Sequence, residues 1–167
     1  MVTRIYLRRV TLSDQHEFLA AVRTSRALHR PWTYPPSAPQ EFRAYLKRMR
    51  QPENRGFLVC ERRTGALVGV INLSNVVLGL FRSAYLGYYA FSGFERRGLM
   101  REGLNALVRY AFKSMKLHRL EANIQPGNDA SIALVRSCGF SKEGYSPRYL
   151  KIGGRWRDHE RWAILAS

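Results

Sequence analysis

Acidic residues and cysteines are what this chain has least of. Twelve Asp and Glu face 28 Lys and Arg, a formal charge of +16 over 167 residues. So few carboxylates disfavour a pocket for polyamines, aminoglycosides or other cationic small substrates, while the long-range field attracts anionic partners. Nucleic acid, a ribosome surface and a phosphate-rich cofactor all qualify, as does a charge that serves only solubility. The basic residues run along the whole chain rather than gathering in a tail, which counts against a dedicated nucleic-acid arm. The two cysteines, Cys60 and Cys138, stand alone, without metal-ligand or redox-motif spacing. Two free, buried thiols in a reducing cytosol, and no bound metal, are the economical reading. No N-terminal apolar run resembles a signal peptide, and no apolar stretch is long enough to span a bilayer. A cytoplasmic protein without a membrane partner is therefore expected. Internal repeats, linkers and low-complexity tracts are missing too. Hydrophobic residues make up 46% of the chain, enough to argue against disorder, and residues 1–167 read as a single domain.

What is present centres on residues 84–115. Up to about Phe91 the run is aromatic and aliphatic, ends at Ser92-Gly93, and reads as a strand. From Leu99 the period changes, and Leu104, Leu107, Val108, Ala111, Phe112 and Met115 form the apolar stripe of a helix. Between them lies Glu95-Arg96-Arg97-Gly98-Leu99-Met100. A glycine there lets backbone approach a ligand, and a fresh helix N-terminus offers free N–H groups to an anion. With Arg96, Arg97 and Arg101 at the same mouth, a diphosphate site is one reading. A helix start with solvated arginines is the other.

Around this stretch the patterns give further elements. Residues 4–10 alternate as a strand, and Thr11–Asp14 suits a helix cap before Phe18, Leu19 and Val22. Prolines at 31, 35, 36 and 39 make residues 29–39 a loop, whose Trp32 and Tyr34 either pack on the core or wall a substrate pocket. Phe42, Tyr45, Leu46 and Met49 mark a second helix. Residues 56–60 and 66–73 are strands joined at Thr64-Gly65. Residues 119–124 form a strand lying parallel to 84–91, as a right-handed crossover requires. Asn128 caps a helix that Gly139 ends. Residues 144–152 and 156–165 make a hairpin about Gly153-Gly154. The predicted order is β-α-α-β-β-β-α-β-α-β-β, an α+β fold with a mixed sheet.

That order, the Gly98 turn, and Asn128 followed by Gly139-Phe140 resemble the GNAT acyl-CoA N-acetyltransferases. Leu28-His29-Arg30-Pro31-Trp32, Ser74–Val77, Tyr85-Leu86-Gly87-Tyr88 and Gly154–His159 are similar to the RimJ-like ribosomal-protein-alanine branch. The resemblance implies acetyl-CoA as co-substrate. It implies that backbone near Tyr89, Ala90 and Phe91 holds the pantetheine arm and acetyl carbonyl. Main-chain groups of Arg96, Arg97, Gly98, Leu99, Met100 and Arg101 would take the pyrophosphate. Asn123 would belong to the cofactor site, Asn128 would contact the arm, and Ser131 would approach the sulfur. Two departures stand out: Glu95 occupies the first position of the family's Gln/Arg-x-x-Gly-x-Gly/Ala loop, and Val135 stands where many members carry an acidic tyrosine.

Chemistry narrows the acceptor. An α-amine titrates near ~7.7–8.0 and a lysine near ~10.4, so roughly a tenth or more of α-amines are neutral at pH 7, against well under ~1% of lysines. A chain with no obvious buried base thus favours a protein N-terminus, plausibly a ribosomal one, with electrostatic contact to ribosomal RNA. Ser131, aided by its helix N-terminus, is the preferred hydroxyl donor to the leaving thiolate. Tyr145 and Tyr149 are further candidates, and Glu143, Asp158 and His118 could take a proton through water. The competing readings are a small-molecule amine acetyltransferase and a nucleic-acid-binding module without activity. Either a monomer or a homodimer is compatible.

Overall fold

A computed structural model describes residues 3–167. Seven strands, β1 (Ile5–Arg9), β2 (Arg55–Glu61), β3 (Leu67–Val77), β4 (Ser83–Ala90), β5 (Arg119–Ile124), β6 (Ser141–Ile152) and β7 (Arg155–Leu165), form one sheet in the order β1-β2-β3-β4-β5-β7-β6. The helices are α1 (Gln15–Thr24), α2 (Arg26–His29), α3 (Pro39–Met49), α4 (Leu99–Lys113) and α5 (Asp129–Ser137), with a single 3-10 turn at Leu12–Asp14. This is the expected mixed α+β order with the short α2 added. No helix among the described residues is long and apolar enough to cross a membrane.

Alternation along the strands sends side chains to two separate cores. Phe57, Val59, Ile71, Leu73, Leu86, Leu120 and Ala122 meet α4 and α5 on one face. Leu58, Cys60, Val70 and Phe91 meet α1 and α3 on the other. There Phe18 anchors the packing, with ring centroids 4.9 Å from Phe42 and 5.9 Å from Phe91. Both cysteines are free and buried.

Several boundaries shift from the sequence reading, with β3 running on to Val77 and β6 starting at Ser141, and two shifts bear on the site. His29 closes α2 instead of opening a loop. Pro39 begins α3, because a proline at the first helical position forfeits no hydrogen bond. The Glu41 carboxylate secures that start by accepting from the amides of Ser37 (2.7 Å) and Ala38 (3.2 Å).

One pairing decides where function can reside. β4 and β5 are the parallel neighbours, matched from Ser83↔Arg119 to Leu86↔Ala122 and no further. Both strands run on, to Ala90 and to Ile124. Each keeps its other partner: Ala90 pairs with Gly69 of β3, and Ile124 with Glu160 of β7. The sheet therefore opens between them.

Close approach beside this opening predicts a stability effect. A Cβ on Gly69 would lie 2.5 Å from Met100 Sδ and 2.6 Å from the Tyr89 carbonyl oxygen. The thioether can move, but the carbonyl cannot. Gly69→Ala should cost about 1–3 kcal/mol in urea unfolding; an unchanged midpoint would contradict this packing.

Candidate active site

Because main-chain groups alternate along a strand, the direction of each on β4 follows from its ladder with β3. The Phe91 amide donates to the Val68 carbonyl at 2.8 Å, and the Tyr89 carbonyl faces Gly69. The main-chain groups of Tyr89 and the amide of Phe91 thus face β3 rather than the opening. Those of Tyr88 and Ala90 face the opening. His29 Nε2 lies 2.7 Å from the Ala90 carbonyl and donates to it, taking the place a β5 amide would have held. The imidazole is 3% exposed, and its Nδ1 has no partner. Burial lowers its pKa, the Ala90 carbonyl opposes that, and neighbouring Arg30 lowers it further.

Below the opening, α4 begins at Gly98, whose φ of 75° is the left-handed conformation that favours glycine. The first bond of that helix runs from the Glu102 amide to the Gly98 carbonyl, 3.1 Å. The amides of Leu99, Met100 and Arg101 precede it and have no partner within the helix. Leu99 is buried and Met100 packs against the core, so only their backbone can serve a ligand. The arginines divide. Arg97 pairs with Glu61 at 2.5 Å, whereas Arg96 and Arg101 are exposed and form no salt bridge among the described residues. Glu95 curls back on its own loop, accepting from the Gly93 amide at 2.6 Å. Its carboxyl sits below the usual range because its own amide and that of Gly93 bond to it. The carboxylate at the motif's first position is thereby held by its own loop.

Across the gap, the Asn128 side chain caps α5 by accepting from the Ser131 amide at 3.4 Å. Ser131 Oγ lies 2.7 Å from the hydroxyl of Tyr88, a contact that the sequence pattern did not reveal. Val135 is wholly buried in the core. Asn123 stands one residue past the last β4–β5 pair, and its Oδ1 is buried without a partner. A buried orphan acceptor fits an amide donor such as the pantetheine arm carries.

Trp32 and Tyr34 belong to neither core. Gln125 Nε2 donates to the Trp32 carbonyl at 3.0 Å, and the Trp32 ring lies over Gly127. The Tyr34 ring sits against Gly153, with the Arg30 guanidinium 3.6 Å from its centroid. The proline-rich loop thus reaches from α2 to the far side of the opening, and these aromatics form a wall there.

The hairpin candidates separate. Asp158 accepts from the Tyr145 hydroxyl and the Arg148 amide, and both bonds hold its carboxyl below the ordinary value. By alternation Asp158 faces the same side as Trp162, the side of α5. Tyr149 instead packs edge-on to His159, ring centroids 6.3 Å apart, on the opposite side. His118 precedes β5 at its far end, and Glu143 is tied to Arg119 there. Both therefore stand at the end of β5 away from the opening.

The family described as "Acetyltransferase (GNAT) domain" matches residues 4–141. A Bacillus subtilis protein named probable N-acetyltransferase YjcK is 34% identical over 121 residues, covering 72% of this chain and 67% of that protein. The [Ribosomal protein uS5]-alanine N-acetyltransferase of Escherichia coli is 46% identical over 98 residues, 59% of this chain and 50% of that protein. The matched stretch thus spans only half to two thirds of these relatives. Spermidine N(1)-acetyltransferase of Vibrio cholerae is 27% identical over 74% of this chain and 70% of its own. Among solved structures, Mycobacterium smegmatis RimJ in complex with CoA-disulfide has a TM-score of 0.88 at 28% identity, covering 97% of this chain and 82% of that one.

Two imidazoles near the opening give a direct check. Burial lowers the pKa of His29 and, against the Arg157 carbonyl and Asp158, that of His159. A folded pKa below the unfolded one means stability that is present above about pH 6.5 and lost as pH falls through the folded values. Ring-proton NMR should place both midpoints below 6.5. A value above it for either ring would contradict the neutral, buried assignment.

Proposed function

This chain belongs to the GNAT acetyltransferase family, and on that premise we propose that it transfers the acetyl group of acetyl-CoA to the N-terminal α-amine of a protein, a ribosomal protein in particular. The observation that carries the reading is the parting of β4 and β5 directly above the unpaired amides of α4. A strand edge with free main-chain groups suits an amide-bearing arm, and the first turn of α4 with Arg96 and Arg101 suits a diphosphate. Asn123 Oδ1 would accept from the arm, and the Ala90 amide would donate to the acyl oxygen. Acetyl-CoA supplies an activated acyl thioester; the protein's part is to place it and to receive the amine.

On the other side, Trp32 and Tyr34 would wall the entrance of the acceptor. Two carboxylates on the strands beside the opening are neutralised, Glu121 by Arg119 and Glu160 by Lys142, while Asp129 and Asp158 form no salt bridge among the described residues. The +16 charge of the chain repels a polycation, which favours a protein N-terminus over spermidine. An α-amine also arrives partly neutral at pH 7, so catalysis needs no strong base. Ser131 would support the departing thiolate from the first turn of α5, where the helix dipole assists.

Calorimetry with acetyl-CoA should give a one-to-one complex. Mass spectrometry should then show a single acetyl group on a ribosomal-protein peptide with a free N-terminal alanine. The N-blocked peptide bearing an internal lysine should stay unmodified, and spermidine should turn over at least about tenfold more slowly, given its amines' higher pKa. Preference for spermidine would overturn the acceptor assignment; no heat with acetyl-CoA would overturn the whole reading.

The surplus positive charge would also bring the enzyme to ribosomal RNA, where such acceptors are found. Co-sedimentation with ribosomes should be strong at 50 mM salt and fall steeply, about tenfold or more, by 200 mM. Failure to sediment at the lower salt would remove RNA as a partner.

A further inference from the structure

The contact between Tyr88 and Ser131 crosses the mouth of the opening. Tyr88 lies on the part of β4 that β5 has left, and its ring points to the α4–α5 face alongside Leu86. Its hydroxyl sits 2.7 Å from Ser131 Oγ and 3.2 Å from the Ser131 carbonyl. A phenol carries one proton and accepts as well, so two arrangements are open to the pair. In one, Tyr88 donates to the serine carbonyl and accepts the serine proton. In the other, Tyr88 donates to Ser131 Oγ, and the serine proton is free to turn outward. Only the second lets Ser131 donate to a group in the mouth.

We propose that Tyr88 is a positioning residue for the leaving sulfur: its hydroxyl donates to Ser131 Oγ and turns the serine proton toward the thiolate of coenzyme A. This rests on the acetyl-CoA reading of the site. In the step, the amine nitrogen forms the N–C bond, and the C–S bond breaks with its electron pair left on sulfur. The Ser131 O–H holds the resulting thiolate, Tyr88 O–H satisfies the serine oxygen behind it, and the surplus amine proton leaves to water. Tyr88 keeps its own proton, since burial pushes its pKa up and a tyrosinate there would be costly. The arrangement also accounts for Val135. A phenol from β4 occupies the neighbourhood of the sulfur, so the α5 position is free to serve the core.

The test reads the bound thiol directly and needs no acceptor. Coenzyme A is titrated on the protein by its ultraviolet thiolate absorbance, with the desulfo-coenzyme A complex subtracted to cancel Cys60, Cys138 and the tyrosines. The wild type should hold the bound thiol below an ordinary thiol value of about 8.5. Tyr88→Phe should raise it by about one pH unit while affinity for the neutral thiol stays unchanged. Ser131→Ala should raise it as well, and the double variant should go no further. A Tyr88→Phe midpoint equal to wild type, or a Tyr88→Phe effect that persists without the serine, would overturn the proposal. If the wild type binds no coenzyme A, the underlying reading fails with it, a result distinct from a bound thiol that ignores Tyr88. Should Tyr88→Phe not fold, the wild type suffices: the tyrosine hydroxyl proton with a nuclear Overhauser contact to Ser131 must shift at the thiol's own pH midpoint, and a shift elsewhere or none counts against it.

Discussion

The parallel ladder between β4 and β5 stops at Leu86↔Ala122, and the rest of the structure depends on its stopping there. The cause is a competition for strand edges. β5 stays paired with β7 through Ile124↔Glu160, and the chain then turns at Pro126-Gly127, where proline has no amide to give a ladder. β4 stays with β3 as far as Ala90. The vacated edge does not stay bare, because His29 from α2 takes the Ala90 carbonyl and Gln125 takes the Trp32 carbonyl. Helix α2 and the proline-rich loop are therefore fastened to both sides of the gap, which gives the opening a rigid rim instead of a frayed end.

Charge is arranged with the same economy. Asp14, Glu61, Glu102, Glu121, Glu143 and Glu160 each pair with a basic side chain, half of the 12 carboxylates in the chain. Asp14 shows how such a pair is held. Burial would raise its pKa, but Arg8 and the Thr11 amide outweigh that and keep it ionised. Among the described residues Arg96 and Arg101 remain unpaired at the start of α4, and the helix N-terminus adds its own partial charge at the same place. An anion reaching this mouth meets backbone amides and two exposed arginines, while Glu102 of the first turn is paired with Arg4 and Glu95 with the Gly93 amide.

Much of this was legible in the sequence. The apolar stripe from Leu104 to Met115, the alternation of the strands and the Asn128 cap depend on local spacing, and they gave the element order. Gly98 was legible because a strand-to-helix turn with a left-handed residue selects glycine. The directions of backbone groups were not. Tyr89 and Phe91 face β3 only because of the register with Val68 and Gly69, which sequence spacing does not encode. Tyr145 and Tyr149 share parity on paper, but the ladder breaks between Ser146↔His159 and Leu150↔Arg157, where Arg148 has φ 47°, and the two rings meet different neighbours, Asp158 and His159. Helix α2, four residues before Pro31, carries no periodic signal, so the part played by His29 was invisible. The contact of Tyr88 was not legible because its partner lies on a helix 43 positions away.

Amide hydrogen exchange, with and without coenzyme A, tests the central claim most directly, because the claim concerns backbone groups. Added coenzyme A should slow exchange at Leu99, Met100 and Arg101 and at Tyr88 and Ala90, while Phe91, already bonded to Val68, stays as it was. Protection confined to other segments, or unchanged rates at the start of α4 with the ligand bound, would contradict it.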